Sequence, residues 1–432
     1  YIMRTEENVV LTKISEQEEL PLAELEELVS SGKVVILNNP RHKVSEPCAV
    51  GKNLSTKINV NIGVSPRASD LDEELQKLNV AIRLGADTVM DLSLGDNMDE
   101  VRRSIITASK VPVGTVPIYQ AAYHVELKNS LVNMKVQDIF KVIQKHAEDG
   151  VDFITVHTGL TRKALEHVRK DRVLGVVSRG GSILASWMHA NKKENPLYEN
   201  YDQLLELARQ YDLTLSLGDG LRPGCIADGS DRAQFKELIT LGELTCRALE
   251  AGVKVIVEGP GHIMLNEVAM NVKMQKKLCH EVPFYILGPL VTDIAPGYDH
   301  ITSAVGSAIA GASGADFICC VSPAEHLGLP DLRDIEEGTV AGKIAAHAAD
   351  LVKGHKKAWQ RDLDMAQARK ELDWNRQFSL ALDSERARQI FHMKNNSSET
   401  GCTMCGDMCA IRIYQEGEDR DALERCGRSP SN

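Results

Sequence analysis

Three cysteines near the C-terminus form the closest-spaced group of three thiols in the sequence. Cys402, Cys405 and Cys409 fall within eight positions, in a stretch rich in Ser, Thr, Gly and Asn. Three thiolates this close together suit a soft metal centre. An iron–sulfur cube with three protein ligands leaves one iron open, where S-adenosylmethionine can chelate before one electron cleaves it to a 5′-deoxyadenosyl radical. The spacing therefore favours a metal or cluster site.

The same cysteine spacing also fits a structural zinc site or a disulfide hairpin. In the first case, His392 or Cys426 would complete the zinc coordination. Against the second, the ten cysteines show no regular framework across 432 residues, which favours a reducing cytoplasm. Spacing alone leaves the identity of the metal open.

Two turns farther upstream carry groups that suit a phosphorylated ligand. Asp219 and Arg222 lie three residues apart on a Gly/Pro turn after an apolar run. Arg222 could bind a phosphate in a bidentate manner, and Asp219 could accept a hydrogen bond from a ribose hydroxyl or a ring nitrogen. Ser178-Arg179-Gly180-Gly181-Ser182 offers a hydroxyl and backbone N–H groups ahead of a helix, as a phosphate cradle does. Either turn could instead serve the loop structure alone.

Two segments each bring a glutamate and a histidine to the end of an apolar run. They are Glu258-Gly-Pro-Gly-His262 and Ser322-Pro-Ala-Glu-His326. Two neutral imidazoles that converge on one place would make a divalent-metal site, whereas a single histidine on a turn is more often a surface residue. Tyr119, His157 and Tyr285 lie at or near the ends of further runs, where they could orient a polar ring.

Short apolar runs between residues 57 and 321 would position these side chains, and helical patterns lie between most of them. Strand and helix alternating in this way indicate a parallel α/β fold. Polar turns after nearly every run favour a (β/α)8 TIM barrel, in which the C-terminal strand ends build the active site. A doubly wound sheet is the alternative, but its Gly-rich phosphate loop is not found. Nine runs are present where a barrel needs eight strands: Ile58–Ile62, Thr88–Leu92, Val111–Ile118, Phe153–Val156, Leu174–Val177, Leu213–Leu217, Val253–Val257, Phe284–Leu287 and Phe317–Val321.

The predicted organisation has four parts. Residues 1–56 form a small N-terminal region with one acidic helix near 20–31, and residues 57–342 form the barrel. Residues 343–392 form a helical extension, and residues 393–432 form a polar, irregular tail that carries the cysteines. Such a tail can hardly fold alone, so we expect it to dock on a barrel, its own or a neighbour's.

Composition excludes several classes of protein. A net charge of −11 and the lack of a basic run argue against nucleic acid as a main partner. No stretch reaches the roughly 18 apolar residues of a membrane helix, and the first residues lack a secretory pattern. We therefore expect a cytoplasmic protein that acts on a small molecule.

Longer motifs resemble one known family, and they recur in order over about residues 50 to 410. The chain resembles the phosphomethylpyrimidine synthase family of thiamine biosynthesis, an atypical radical S-adenosylmethionine group. The resemblance implies a (β/α)8 barrel, a lyase-type reaction of aminoimidazole ribotide, an external electron donor, and a homodimer in which each cysteine tail reaches the partner's barrel. The motifs are Gly114–Gln120, Ser178–Ser182, Ser216–Gly224, Glu258–His262, Leu287–His300 and Glu325–Pro330.

The resemblance also implies roles for individual residues. By position, Glu258 would take part in catalysis as well as in binding. The residues implied to bind the ribotide are Asn61, Met90, Tyr119, His157, Ser178, Arg179, Gly180, Asp219, Gly220, Leu221, Arg222, Glu258 and Tyr285.

Two metal centres follow from the same resemblance. His262 and His326 would hold a second metal, zinc or iron. Cys402, Cys405 and Cys409 would hold a catalytic 4Fe-4S cluster that binds S-adenosylmethionine.

Departures from the thiamine pattern bear on the product. The cysteine motif is one residue shorter than Cys-x-x-Cys-x-x-x-x-Cys, and Ile263-Met264-Leu265 follows His262 where Val-Pro is usual. Asn61-Ile-Gly-Val-Ser65 replaces a Gly-Asn-Ser form. These features favour the anaerobic paralogue, 5-hydroxybenzimidazole synthase, which makes the lower base of cobamides in cobalamin biosynthesis. The alternatives are a synthase of the thiamine pyrimidine from the same ribotide, and a zinc-stabilised barrel that binds a phosphorylated ligand without catalysis.

Overall fold

A computed structural model describes residues 2–67, 70–129, 131–395 and 402–425. The chain divides into two compact units between Lys353 and Gly354. Among the described helices, none is both long and apolar enough to cross a membrane.

The N-terminal region is larger than the single predicted helix. It comprises helices α1 (Ile2–Glu18) and α2 (Leu22–Ser30) and an antiparallel pair of strands, β1 (Val34–Leu37) and β2 (Cys48–Gly51). Each strand has only four residues, so neither shows a clear alternating pattern in the sequence. Buried residues of both helices and both strands form a small core of their own, which lies in the first unit.

Eight parallel strands close into a barrel, as predicted from the apolar runs. The first of them pairs with both the second and the last, so the sheet has no free edge. The strands are β3 (Lys57–Ile62), β4 (Thr88–Asp91), β5 (Val113–Thr115), β6 (Phe153–Val156), β7 (Thr214–Leu217), β8 (Val255–Glu258), β9 (Phe284–Leu287) and β10 (Phe317–Cys319).

Helices surround the barrel and bury their apolar faces against it. The longest, α14, also crosses the 342/343 boundary that the sequence predicted for the end of the barrel. The helices that follow the N-terminal region in the first unit are α3 (Leu71–Arg83), α4 (Met98–Ala108), α5 (Pro117–Asn129), α6 (Val136–Asp149), α7 (Arg162–Asp171), α8 (Arg179–Asn191), α9 (Pro196–Glu199), α10 (Tyr201–Gln210), α11 (Arg232–Glu250), α12 (Val268–Leu278), α13 (Asp299–Ala312) and α14 (Leu332–Lys353).

Aromatic rings fill the barrel interior. Phe317 stacks on Tyr285 with ring centroids 4.2 Å apart and meets Phe153 edge-on at 6.2 Å. Gly114 on β5 makes room for the Phe153 ring, because a Cβ at this position would lie 2.3 Å from it. The small residue and the large ring therefore occupy the same layer of the core.

One of the nine apolar runs, Leu174–Val177, is not a strand, so that prediction was wrong. It forms an irregular loop between α7 and α8, and the Leu174 side chain is 53% exposed. The backbone N–H groups of Val173 and Leu174 donate to the Asp228 carboxylate at 2.7 and 3.0 Å. A side chain distant in sequence thus takes the place of a sheet partner.

The second unit contains α15 (Lys356–Lys370), α16 (Trp374–Leu380), α17 (Ser384–Lys394) and α18 (Ala410–Arg425). Trp374 packs against Phe391 with ring centroids 4.5 Å apart, and Phe378 contacts both rings. Helix α18 corrects the prediction that residues 393–432 are irregular throughout. Residues 396–401 and 426–432, with Cys426, lie outside the described residues.

Candidate active site

A cavity opens where the barrel strands end. It brings together most of the side chains that the sequence singled out on separate strands, as the C-terminal face of such a barrel should. Its lining residues are Asn61, Met90, Leu92, Val116, Tyr119, Thr155, His157, Asp219, Arg222, Glu258, Tyr285, Ile286, Leu287 and Cys319.

Glu258 is the last residue of β8, and two hydroxyl groups hold its carboxylate in this cavity. Its Oε1 accepts hydrogen bonds from the hydroxyls of Thr155 and Ser216 at 2.7 and 2.6 Å. Burial, together with the charge of Asp219, raises the pKa of Glu258 to about 7. Glu258 can therefore hold or release a proton near neutral pH, as a general acid or base must.

Asp219 and Arg222 form an ion pair on the turn after β7. Arg222 Nη1 donates to Asp219 Oδ1 at 3.1 Å. Burial raises the pKa of Asp219, although the guanidinium of Arg222 opposes this shift. The second carboxylate oxygen, Oδ2, is buried and has no hydrogen-bond partner among the described residues. This acceptor is available to a donor group of a ligand.

His157 follows β6 and lies against the first turn of α8. Ser178 caps that helix by accepting from Gly181 N at 3.2 Å, and its hydroxyl lies 3.1 Å from His157 Nε2. A Cβ on Gly180 would lie 2.2 Å from the imidazole, so only glycine fits there. Burial, and the nearby Arg222, lower the pKa of His157 to about 3, which keeps the ring neutral.

The neighbouring predicted residues contribute in different ways. The Arg179 guanidinium lies over the Tyr119 ring, 4.9 Å from its centroid. Five predicted residues are absent from the cavity lining: Ser178, Arg179, Gly180, Gly220 and Leu221. Ser178–Gly180 border it through His157 and Tyr119, and Gly220 and the fully buried Leu221 contribute the backbone of the turn that carries Asp219 and Arg222.

Cys319 also lines the cavity, and no role in the site was predicted for it. Asn61 Nδ2 donates to Cys319 Sγ at 3.2 Å, and burial raises the pKa of the thiol to about 12. The alternation along β10 offered a signal for this position, since Phe317 and Cys319 lie on the same face. Thr155 and Ser216, the partners of Glu258, were also missed because their strands read as uniformly buried.

His262 and His326 meet at the barrel mouth with ring centroids 5.3 Å apart. Asp293 Oδ1 lies 2.8 Å from His262 Nδ1, and Asp299 Oδ1 lies 3.1 Å from His326 Nδ1. A carboxylate at Nδ1 orients an imidazole so that its Nε2 can bind a metal. The chemistry of this donor pair fits a divalent ion, which His262 and His326 would hold. Neither Asp293 nor Asp299 was predicted from the sequence to have a role.

Cys402, Cys405 and Cys409 are free thiols in the second unit. Cys405 is exposed and the other two are half-buried, on a turn that passes through Gly406 at a φ of 52°. Three thiols on one short segment are the donor type that iron requires. In the described ranges, however, no group of three or more Cys, His, Asp or Glu side chains is arranged as a complete metal site.

A (β/α)8 barrel, a buried acid–base cavity and a three-cysteine segment are the parts that a radical S-adenosylmethionine enzyme with this fold requires. Residues 3–416 match the Radical SAM ThiC family, and the chain belongs to this family. Membership implies a 4Fe-4S cluster and S-adenosylmethionine.

Curated relatives cover nearly the whole chain. A phosphomethylpyrimidine synthase of Moorella thermoacetica is 55% identical over 94% of this chain and 94% of its own length. The synthase of the same name from Geobacter metallireducens is 52% identical over 93% of this chain and 92% of its own. A solved dihydropteroate synthase from Coxiella burnetii has a TM-score of 0.41 at 12% identity, covering 72% of this chain and 98% of that chain, which is too remote to bear on function.

Proposed function

We propose that this protein is a phosphomethylpyrimidine synthase, which converts aminoimidazole ribotide into 4-amino-5-hydroxymethyl-2-methylpyrimidine phosphate for thiamine. The observation that carries this proposal is the likeness to synthases of that name at 52–55% identity over more than nine-tenths of the chain. The 5-hydroxybenzimidazole branch, which the sequence departures favoured, fits these relatives less well. The shortened cysteine motif and Ile263-Met264-Leu265 then lie within the variation of the thiamine branch.

The cavity supports a ribotide as the substrate. Arg222 and the N-terminal turn of α8 at Ser178–Gly180 offer a cation and backbone N–H groups to the phosphate. The unpartnered Oδ2 of Asp219 would accept from a ribose hydroxyl or the ring amine. Neutral His157, with Nδ1 also unpartnered, would exchange a hydrogen bond with the same ligand.

Glu258 is the group we assign to proton transfer. Its pKa of about 7 allows it to take a proton from the rearranging ligand and return it at neutral pH. The hydroxyls of Thr155 and Ser216 hold Oε1, which leaves Oε2 to face the ligand. Tyr119, Asn61, Met90 and Tyr285 would shape the rest of the pocket.

Two metal centres complete the proposal. Cys402, Cys405 and Cys409 would hold the 4Fe-4S cluster, which with S-adenosylmethionine supplies the 5′-deoxyadenosyl radical. His262 and His326 would hold one divalent ion, zinc or iron, with their Nδ1 atoms oriented by Asp293 and Asp299. We further propose an external electron donor, a homodimer with exchanged tails, and a cytoplasmic setting that keeps the thiols reduced.

One anaerobic turnover tests the proposed product. The reconstituted protein is mixed with aminoimidazole ribotide, S-adenosylmethionine and a reductant, and the product is identified by mass spectrometry. We expect the pyrimidine phosphate, whereas 5-hydroxybenzimidazole would assign the chain to the other branch. A protein that stays colourless after anaerobic reconstitution with iron and sulfide would support the zinc-stabilised binding barrel.

A pair of variants tests the cysteine assignment. Cys405→Ala should abolish formation of 5′-deoxyadenosine while the barrel stays folded. Cys246→Ala is the matched control, because Cys246 lies on α11 outside the motif and should leave turnover unchanged. Full activity in Cys405→Ala would contradict the assignment.

A further inference from the structure

Arg172, which directly follows helix α7, connects two loops that the proposed site uses. Its side chain is fully buried. Its Nη2 donates to the Leu221 carbonyl, and its Nη1 lies 3.1 Å from the Gly175 carbonyl and 3.4 Å from the Arg222 carbonyl. One guanidinium therefore binds the backbone just before Ser178 and the backbone between Asp219 and Arg222.

The N-terminus of helix α11 fixes the position of the Arg172 side chain. Asp231, the N-cap of α11, accepts from Arg172 Nε at 2.8 Å and from Nη2 at 3.0 Å. The same carboxylate accepts from Gln234 N at 2.8 Å, as an N-cap does. The two-pronged geometry fixes the plane of the guanidinium, and with it the direction of the remaining N–H groups.

Glu237, farther along α11, binds the same turn from the other side. Its Oε2 accepts from Leu221 N at 2.7 Å. Gly159 and Gly220 make room for it, since a Cβ on either glycine would lie within 3.0 Å of the Glu237 side chain. Both backbone polar groups of Leu221 are thus held by buried side chains, the N–H by Glu237 and the carbonyl by Arg172.

The two loops also touch directly. A Cβ on Gly181 would lie 2.3 Å from the Gly220 carbonyl oxygen, and one on Gly224 would lie 2.4 Å from Val177 Cγ1. At contacts this close, a small shift of one loop has to move the other. The N-terminus of α8 and the Asp219–Arg222 turn are therefore expected to move together. The Arg172 and Glu237 side chains, which bind the backbone of these loops, are placed to fix the distance between them.

We propose that Arg172, Asp231 and Glu237 form a clamp that sets the distance between the two ligand-binding loops, residues 175–181 and 219–224. They are positioning residues, because none of them lines the cavity. The identity of the ligand as a ribotide rests on the proposed function, whereas the coupling of the loops does not. With the clamp in place, the phosphate and ribose contacts are prepared before the ligand arrives.

The chemistry of the clamp suggests the variants to use. Lysine keeps the charge of Arg172 but has one nitrogen, so it cannot reach Asp231 and three carbonyls together. Burial raises the pKa of Glu237 to about 8, so this group is largely protonated at neutral pH. Glutamine therefore resembles it closely in shape and hydrogen bonding, while alanine removes the contact to Leu221.

Hydrogen–deuterium exchange of the ligand-free protein tests the coupling itself. In Arg172→Lys, we expect faster exchange in peptides covering both residues 173–181 and residues 218–224, with no change in residues 255–262. Arg209→Lys is the matched control, since Arg209 is exposed on α10. Faster exchange in only one loop, or in neither, would overturn the clamp. If Arg172→Lys does not fold, Glu237→Ala is read in the same way.

Steady-state kinetics separate a positioning role from general loosening. We expect Arg172→Lys to raise the KM for aminoimidazole ribotide about tenfold or more, with the KM for S-adenosylmethionine within twofold. Glu237→Gln should stay near wild type, and Glu237→Ala should follow Arg172→Lys. Equal changes in both KM values would contradict the clamp. If the wild type converts no ribotide, the proposed function fails, and the exchange measurement still decides on the coupling.

Discussion

The two ends of the barrel treat buried polar groups differently. At the N-terminal end, Lys57 donates to Glu18 Oε1 at 2.8 Å and to the carbonyl and hydroxyl of Ser55 at 2.9 and 2.6 Å. At the C-terminal end, Asp219 Oδ2 and His157 Nδ1 are buried without a partner among the described residues.

Asp152 extends the contrast at the N-terminal end. It accepts from Asn39 N at 2.8 Å, from Val113 N at 2.7 Å and from His42 Nδ1 at 2.7 Å, which ties the loop after β1 to the barrel. His42 Nε2 and Thr214 Oγ1, at the start of β7, are exceptions at this end, since neither has a hydrogen-bond partner among the described residues. One end therefore uses buried charge to hold the chain together, whereas the opposite end keeps acceptors open for a ligand.

The largest effect on activity should come from Glu258→Gln, at the C-terminal end of the barrel. Because the amide cannot take up a proton, we expect product formation to fall by about 100-fold or more. The thermal midpoint should stay the same or rise, since a buried ionisable group is removed. Anaerobic product analysis and thermal unfolding measure the two quantities. Glu166→Gln, at an exposed position on α7, is the control, and near-normal turnover in Glu258→Gln would contradict the role.

Asp152→Ala, at the N-terminal end of the barrel, should lower stability and leave activity intact. It leaves two backbone N–H groups and His42 without their acceptor, so we expect a loss of about 3 to 5 kcal/mol in the free energy of unfolding. Activity per folded molecule should be retained. Urea unfolding measures the loss, with Asp202→Ala as control because Asp202 is 86% exposed and should cost no more than about 1 kcal/mol. A stable but inactive Asp152→Ala protein would contradict the assignment of a purely stabilising role to the N-terminal end of the barrel.

Arg222→Ala should weaken ligand binding while preserving the fold. Removing a cation that would face the ligand's phosphate in a partly dry cavity costs about 2 to 5 kcal/mol, which corresponds to an affinity loss of about 30-fold or more. Calorimetry with aminoimidazole ribotide measures the change, and Arg209→Ala serves as the control for lost charge. An unchanged affinity would remove Arg222 from the phosphate site.

The smallest expected effect is the pH dependence that Glu258, at the C-terminal end of the barrel, gives to the free energy of unfolding. The pKa of Glu258 is raised to about 7 in the folded protein, so the folded state holds this proton more tightly than the unfolded chain. Stability is therefore lost as pH rises through 7, by roughly 1 kcal/mol between pH 6 and pH 8 for this group. Glu237, whose pKa is also raised, contributes a loss to both proteins. Urea unfolding of wild type and Glu258→Gln at both pH values should therefore show a loss that is larger in the wild type by about this amount. Parallel curves would contradict the raised pKa.

The sequence predicted the parts of this molecule that depend on local pattern. Eight of the nine apolar runs became barrel strands, and the polar residues after them converged because parallel strands end on one face. The Leu174–Val177 run was mistaken because its backbone partner, Asp228, lies more than fifty residues away. Asp293 and Asp299 were missed for the same reason, since their histidine partners are distant in sequence.

The placement of the tryptophans makes the two units optically distinguishable. The chain has three tryptophans, of which Trp187 is buried in the barrel unit and donates to the Met134 carbonyl at 2.8 Å. Trp359 and Trp374 belong to the unit that carries the cysteines. Since iron–sulfur centres absorb where tryptophan emits, fluorescence from Trp359 and Trp374 should dim when the cysteine segment is loaded, and a Trp187→Phe variant would isolate that signal. Cluster assembly can then be followed in real time with the chain's own chromophores.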